Sequence, residues 1–132
     1  MNNKPLHTPD LENKCILIVE DDLNSHELFL IVLRKTKAVI ISAYDGMDAI
    51  KMVKDYAQID LVLMDLKMPI LSGFDATKQI KKIRPNLTVI AQSAHALLGD
   101  KEKALQAGCD DFLTKPIKKD VLFELLSRYL VK

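Results

Sequence analysis

Five short apolar runs, each followed by a stretch with helical spacing, constrain this 132-residue chain more than any other feature. The runs are CILIV (15–19), AVIISA (38–43), LVLM (61–64), LTVIA (87–91) and DFLT (111–114). They are too short for buried helices and are rich in β-branched residues, which marks them as strands. Between them lie NSHELFLIVLRKT (24–36), GMDAIKMVKDY (46–56), SGFDATKQIKKI (72–83) and LLGDKEKALQAG (97–108), and KKDVLFELLSRYL (118–130) follows the last. Their apolar residues recur three and four apart. In the first helix Leu28, Ile31, Val32 and Lys35 lie at helical spacing; Ala49, Ile50 and Val53 in the second and Ala76, Ile80 and Ile83 in the third are read as inward; Val121, Leu122, Leu125, Leu126, Tyr129 and Leu130 form one stripe in the last. The fourth helix is weakly amphipathic and stops at Gly108. Strands apolar on both faces, separated by helices, imply a parallel sheet covered on both sides. Right-handed crossovers then leave few topologies, although the pattern alone does not order the strands.

The length fits one α/β domain, and 48% apolar residues supply its core. Residues 1–13 are polar, contain Pro5 and Pro9, and read as an N-terminal tail or linker, so that the domain spans 14–132. Nineteen basic against eighteen acidic residues leave no bulk attraction to nucleic acid or to an anionic membrane. The apolar runs are too short or too interrupted by charge to cross a membrane, and the N-terminus has no signal-peptide core. Cys15 and Cys109 read as reduced thiols of a cytoplasmic protein.

The chemistry gathers where strands end. Glu20-Asp21-Asp22 closes the first strand and Asp65 the third. Gln92-Ser93 follows the fourth, and Thr114-Lys115-Pro116 the fifth. In an open parallel sheet these ends share one edge, where ligands bind. Two carboxylates about 5 Å apart repel by roughly 3 kcal/mol at an effective dielectric of ~20. A hard divalent cation removes that repulsion, and Mg²⁺ prefers oxygen ligands and phosphate. The His and Cys ligands that zinc prefers are missing from these ends. Carboxylates, one ammonium (Lys115) and one hydroxyl (Ser93) suit a phosphoryl group, and Asp65 is placed as a carboxylate nucleophile. Asp22, just ahead of a helix, reads as an N-cap.

The segments ILIVEDD, LVLMDLKMPILSG, VIAQSA and AGCDDFLTKPI resemble the signature regions of response regulator receiver domains, over residues 15 to about 131. HALLGDKEKALQAGCDDFLTKPIK resembles receivers of hybrid histidine kinases in particular. The resemblance implies a doubly wound (βα)₅ domain with strand order 2-1-3-4-5, the order of the related chemotaxis regulator. It makes Asp65 the phospho-acceptor, with Mg²⁺ (or Mn²⁺ as substitute) bound by Asp21, Asp65 and the Lys67 backbone carbonyl, and by Glu20 through water. Ser93 becomes the switch hydroxyl, Phe112 the aromatic switch, and Lys115 the partner of the phosphoryl group, ahead of a cis bond to Pro116.

Two positions depart from the usual pattern. The switch hydroxyl is more often threonine, and Phe112 more often tyrosine, so no phenolic hydroxyl is available for output. Lys67 and His95 occupy the variable positions that tune dephosphorylation in the family. His7, His26 and His95 lie outside any helix bundle suited to a phosphohistidine, so the donor histidine belongs to another protein or domain.

The implied function is a phosphorylation switch in two-component signalling. A sensor or hybrid histidine kinase, or a histidine phosphotransfer protein, donates to Asp65. Ser93 and Phe112 then move, and the surface of the fourth helix, fifth strand and fifth helix changes. No independent enzymatic turnover, nucleic-acid binding or membrane insertion is expected. The readings that compete are a Mg²⁺-dependent phosphohydrolase and a pseudo-receiver. Lys67, standing where such a hydrolase often has a second carboxylate, opposes the first; the complete set of site residues opposes the second. The linker-like start and the fourth-region motif favour a receiver from a hybrid kinase over a stand-alone regulator, and a fused output domain would lie outside these residues.

Overall fold

A computed structural model describes residues 8–94 and 99–131. Within them five strands and five helices alternate: β1 (Cys15–Val19), α1 (Leu23–Arg34), β2 (Val39–Ala43), α2 (Gly46–Asp55), β3 (Leu61–Asp65), α3 (Gly73–Ile83), β4 (Thr88–Ser93), α4 (Asp100–Ala107), β5 (Asp111–Thr114) and α5 (Lys119–Leu130). All strand pairs are parallel, in the order β2-β1-β3-β4-β5. This is the doubly wound order that the resemblance to receiver domains implies. His95 and the expected start of α4 at residues 97–98 lie outside the described residues, as do residues 1–7.

Strand alternation divides the core into two. Leu17, Val19, Val62, Met64, Val89 and Ala91 face α2, α3 and α4. Ile16, Ile18, Leu61, Leu63, Ile90 and Leu113 face α1 and α5. Each side chain buried fully contributes roughly 1.5–3 kcal/mol, so both faces hold the sheet edge rigid.

Caps set the helix starts. Asp22 accepts from the Ser25 N–H (2.9 Å), Asp45 from Asp48 (2.8 Å) and Ser72 from Asp75 (3.2 Å). The Asp22 cap matches its sequence reading. Gly108 ends α4 with φ +112°, a conformation costly for a residue with Cβ.

Three details correct the sequence reading. Helix α1 buries His26, Phe29 and Leu33, leaving Leu28 64% and Ile31 47% exposed. The helix is apolar on nearly every side, so periodicity did not select the buried face. Ile83 and Val121 likewise sit outward. Strand β4 runs on through Gln92 and Ser93, because the backbone ladder continues regardless of side-chain polarity: Asp65 pairs with Gln92, and Ser93 with Thr114. Leu11, within the segment read as linker, is fully buried, and its N–H donates to the Thr36 carbonyl at 2.7 Å.

Candidate functional site

The carboxyl ends of β1, β3, β4 and β5 meet at one edge. Glu20 follows β1, and its N–H donates to the Ala43 carbonyl (3.1 Å), which fixes the chain as it leaves the sheet. Asp65 is the last residue of β3 and is buried. One carboxylate oxygen each from Glu20, Asp21 and Asp65 lie within 4.8 Å of one another. Glu20 is buried and Asp21 exposed, so the cluster opens to solvent on one side.

Lys115 bridges the two buried acids. Its Nζ lies 2.8 Å from Glu20 Oε1 and 3.6 Å from Asp65 Oδ1. Burial lowers the ammonium's pKa, but the hydrogen bond to Glu20 and the charges of Asp65 and Glu20 outweigh this and raise it. The bond from Lys115 to Pro116 is cis. Glu20 Oε2 accepts from the Asp22 N–H at 3.2 Å, so both oxygens of this fully buried acid have partners.

Asp65 is the strained member. Burial comes first, then a hydrogen bond and charge from Glu20, and together they push its carboxyl up to about 7. Lys115 and the Lys67 N–H, which donates to Asp65 Oδ1 at 3.2 Å, oppose this only partly. One ammonium cannot neutralise three carboxylates, and an all-oxygen cluster short of positive charge fits a hard divalent cation.

Ser93 lies two strands from Glu20 on the same edge, and its hydroxyl donates to Asp100 Oδ2 at 2.8 Å. Asp100 Oδ1 also faces Lys67 Nζ at 3.5 Å. Phe112 is half-buried against the α2–α4 side of the core. The expected residues Glu20, Asp21, Asp65 and Lys115 therefore converge directly. Ser93 and Phe112 sit on neighbouring strands of that edge, and Lys67 reaches Asp65 through its backbone N–H.

Sequence reasoning missed three supports. Asp100 is 2% exposed and begins α4; its link to Ser93 is tertiary, and an acid in a helix's first turn gives no sign of it. His26 is buried behind Glu20. Its Nδ1 lies 3.0 Å from the Glu20 carbonyl and so donates to it, Nε2 lies 2.7 Å from the Ser42 hydroxyl, and the ring stacks on Tyr44. Gly73 passes so close to β3 that a Cβ there would lie 2.1 Å from the Asp65 carbonyl oxygen. A glycine at a helix start beside the acid was the available signal. Both cysteines are buried and free, and burial pushes Cys109 up to about 11 and raises Cys15 as well, so they remain thiols.

A five-stranded parallel sheet carrying an acidic cluster and a lysine at its carboxyl edge defines an α/β domain of the doubly wound class, with its candidate site where ligands bind in such sheets. The family model described as "Response regulator receiver domain" matches residues 16–127, and the chain belongs to that family, a receiver domain of two-component signalling. Hybrid signal transduction histidine kinase I of Dictyostelium discoideum is 38% identical over 125 residues, covering 89% of this chain and only 7% of that kinase's length. The receiver domain of Saccharomyces cerevisiae Ssk1, solved with the histidine phosphotransfer protein Ypd1, superposes with a TM-score of 0.84 at 30% identity, over 91% of this chain and 90% of that one. The receiver domain of the Pseudomonas aeruginosa PAO1 sensor kinase PA1611, with a magnesium ion in its active-site cleft, gives 0.83 at 33% identity, over 90% and 98%. No helix among the described residues is long and apolar enough to cross a membrane.

Proposed function

We propose that Asp65 accepts a phosphoryl group from a phosphohistidine of a sensor or hybrid histidine kinase, or of a histidine phosphotransfer protein. An Asp65 oxygen attacks phosphorus in line, the P–N bond breaks, and its electron pair returns to the donor imidazole. The observation that carries this reading is the buried Asp65 carboxylate at a strand end, 3.6 Å from Lys115 and clustered with Glu20 and Asp21.

Asp21, Asp65 and the Lys67 carbonyl would hold Mg²⁺, with Glu20 acting through water; Mn²⁺ fits the same oxygens. The cation would neutralise the phosphoryl oxygens during transfer. Lys115 then pairs with the phosphoryl group, exchanging its present bridge between Glu20 and Asp65. The Ser93 hydroxyl leaves Asp100 for a phosphoryl oxygen, and Phe112 follows inward. The surface of α4, β5 and α5 carries the change to a partner or a fused output domain. The domain proper includes Leu11, which packs into its core, and works in the cytoplasm. Its chemistry is confined to gaining and losing its own phosphoryl group.

The test is a mass measurement after incubation with Mg²⁺ and acetyl phosphate, or with a phosphorylated kinase. One added phosphate that is lost in Asp65→Asn supports the reading. Wild-type protein that takes up none from any of these donors would favour a receiver fold used only for binding.

A further inference from the structure

Across the sheet from α3 and α4, helix α1 and the β5–α5 connection enclose a cleft of about 380 Å³. This lies within the range of small-molecule sites, roughly 300–1,000 Å³. Its walls are apolar: Leu28, Phe29 and Val32 of α1, then Pro116, Ile117 and Leu122. Gln92 also lines it. Strand alternation puts Gln92 on the same side of β4 as Ile90, which faces α1 and α5. The residue is 0% exposed, and among the described residues neither Oε1 nor Nε2 has a hydrogen-bond partner.

A carboxamide with both ends unpaired is rare in a folded interior and needs an explanation. The neighbouring polar groups do not satisfy it. The Ser25 hydroxyl at the cleft donates to Asp22 at 2.8 Å, and the Lys115 ammonium is engaged by Glu20 and Asp65. The cleft therefore combines apolar walls with one buried group that both donates and accepts.

We infer that this cleft binds a small, flat, largely apolar molecule bearing a neutral amide-type edge: a lactam, a carboxamide or the equivalent edge of a heterocyclic base. The ligand displaces the side chains that cover the amide, which is fully buried in the unliganded chain; its N–H then donates to Gln92 Oε1, and Gln92 Nε2 donates to the ligand carbonyl. A carboxylate matches less well, because it offers only acceptors and leaves Oε1 unpaired. A hydrocarbon of the same shape fills the walls and leaves both amide atoms unpaired. The site is separate from the phosphoryl pocket, although Lys115 borders both.

The probes are 2-pyridone, which has the paired edge, and N-methyl-2-pyridone, which lacks the donor. Each is titrated into the full chain and followed by two-dimensional amide NMR. The expected result is saturable movement of the Gln92 side-chain NH₂ signal and of the Leu28 and Ile117 amides. 2-Pyridone should bind at least about fivefold more tightly than its methylated analogue. Gln92→Leu, which replaces the amide by an apolar group of similar size, should keep weak binding and lose the preference. Lack of saturable movement, equal affinity for the two probes, or a preference that survives in Gln92→Leu would each overturn the proposal. So would a crystal structure with 2-pyridone in which ordered waters alone satisfy the amide.

Discussion

Asp100 holds the Ser93 hydroxyl at 2.8 Å, on the side of the sheet that carries α4 rather than toward the acidic cluster. In the proposed switch this bond must break before Ser93 can reach a phosphoryl oxygen, so Asp100 stabilises the resting arrangement. A neutral hydrogen bond contributes about 1 kcal/mol net, and one to an ionised acceptor about 1.5–3 kcal/mol. Asp100→Ala should therefore raise the population with Ser93 released by roughly five- to tenfold or more, and speed phosphorylation by acetyl phosphate. A time course of phosphate uptake by mass spectrometry checks it; an unchanged or slower rate in a folded variant would count against the latch.

Lys115 supplies charge to Glu20, which is 0% exposed. Its own side chain keeps 25% exposure, so solvent screens part of the interaction. Lys115→Met leaves two buried acids facing each other and should destabilise the cation-free protein by about 1–3 kcal/mol. Added Mg²⁺ should recover most of that loss, while phosphoryl uptake stays impaired. Urea unfolding with EDTA and with Mg²⁺ measures both halves of the expectation; a loss that Mg²⁺ leaves untouched would point to packing instead of charge.

The contrast between Asp65 and Asp100 shows what a sequence can disclose. Asp65 ends a run of four buried apolar residues, and that contrast in polarity is local, so it was visible. Glu20, Asp21 and Lys115 were visible for the same reason, once parallel strands bring their ends together. Asp100 stands in a polar helix turn where an acid is ordinary, and only the folded chain shows that it is buried against Ser93. Helix α1 failed differently. Its residues are apolar on several sides, and the buried face is set by His26 meeting Glu20 and Ser42 across the fold. Gln92 and Ser93 looked like a loop because they are polar, yet strand pairing carries through both.

Gly73 is required by space. A methyl group there would lie 2.1 Å from the Asp65 carbonyl oxygen and 2.7 Å from Leu66 Cα, both backbone atoms with little freedom. Gly73→Ala must push α3 from β3 or tilt the end of β3 that carries Asp65. We expect a loss of about 2–4 kcal/mol in urea unfolding. Phosphoryl uptake should slow even well below the unfolding temperature, because a small displacement of the acceptor oxygen spoils in-line attack. Uptake at the wild-type rate would show that the β3 end is uncoupled from this contact.

The raised Asp65 carboxyl makes stability depend on pH in a defined direction. Folded, it titrates at about 7; unfolded, an aspartate titrates near 3.9. Between these values the native state keeps a proton that the unfolded chain has lost. Stability without a divalent cation should therefore fall as pH rises from about 4 to about 7 and level off above, with Asp65 accounting for on the order of 2–4 kcal/mol. Asp65→Asn cannot ionise, so its curve should lack this contribution and lie above wild type at pH 8. Mg²⁺ should act in the opposite sense, stabilising the wild type more at pH 8 than at pH 5, because it binds the ionised acids. Urea midpoints at several pH values, for both proteins with EDTA and with Mg²⁺, separate these effects. Parallel curves for wild type and Asp65→Asn would show that Asp65 is not the titrating group.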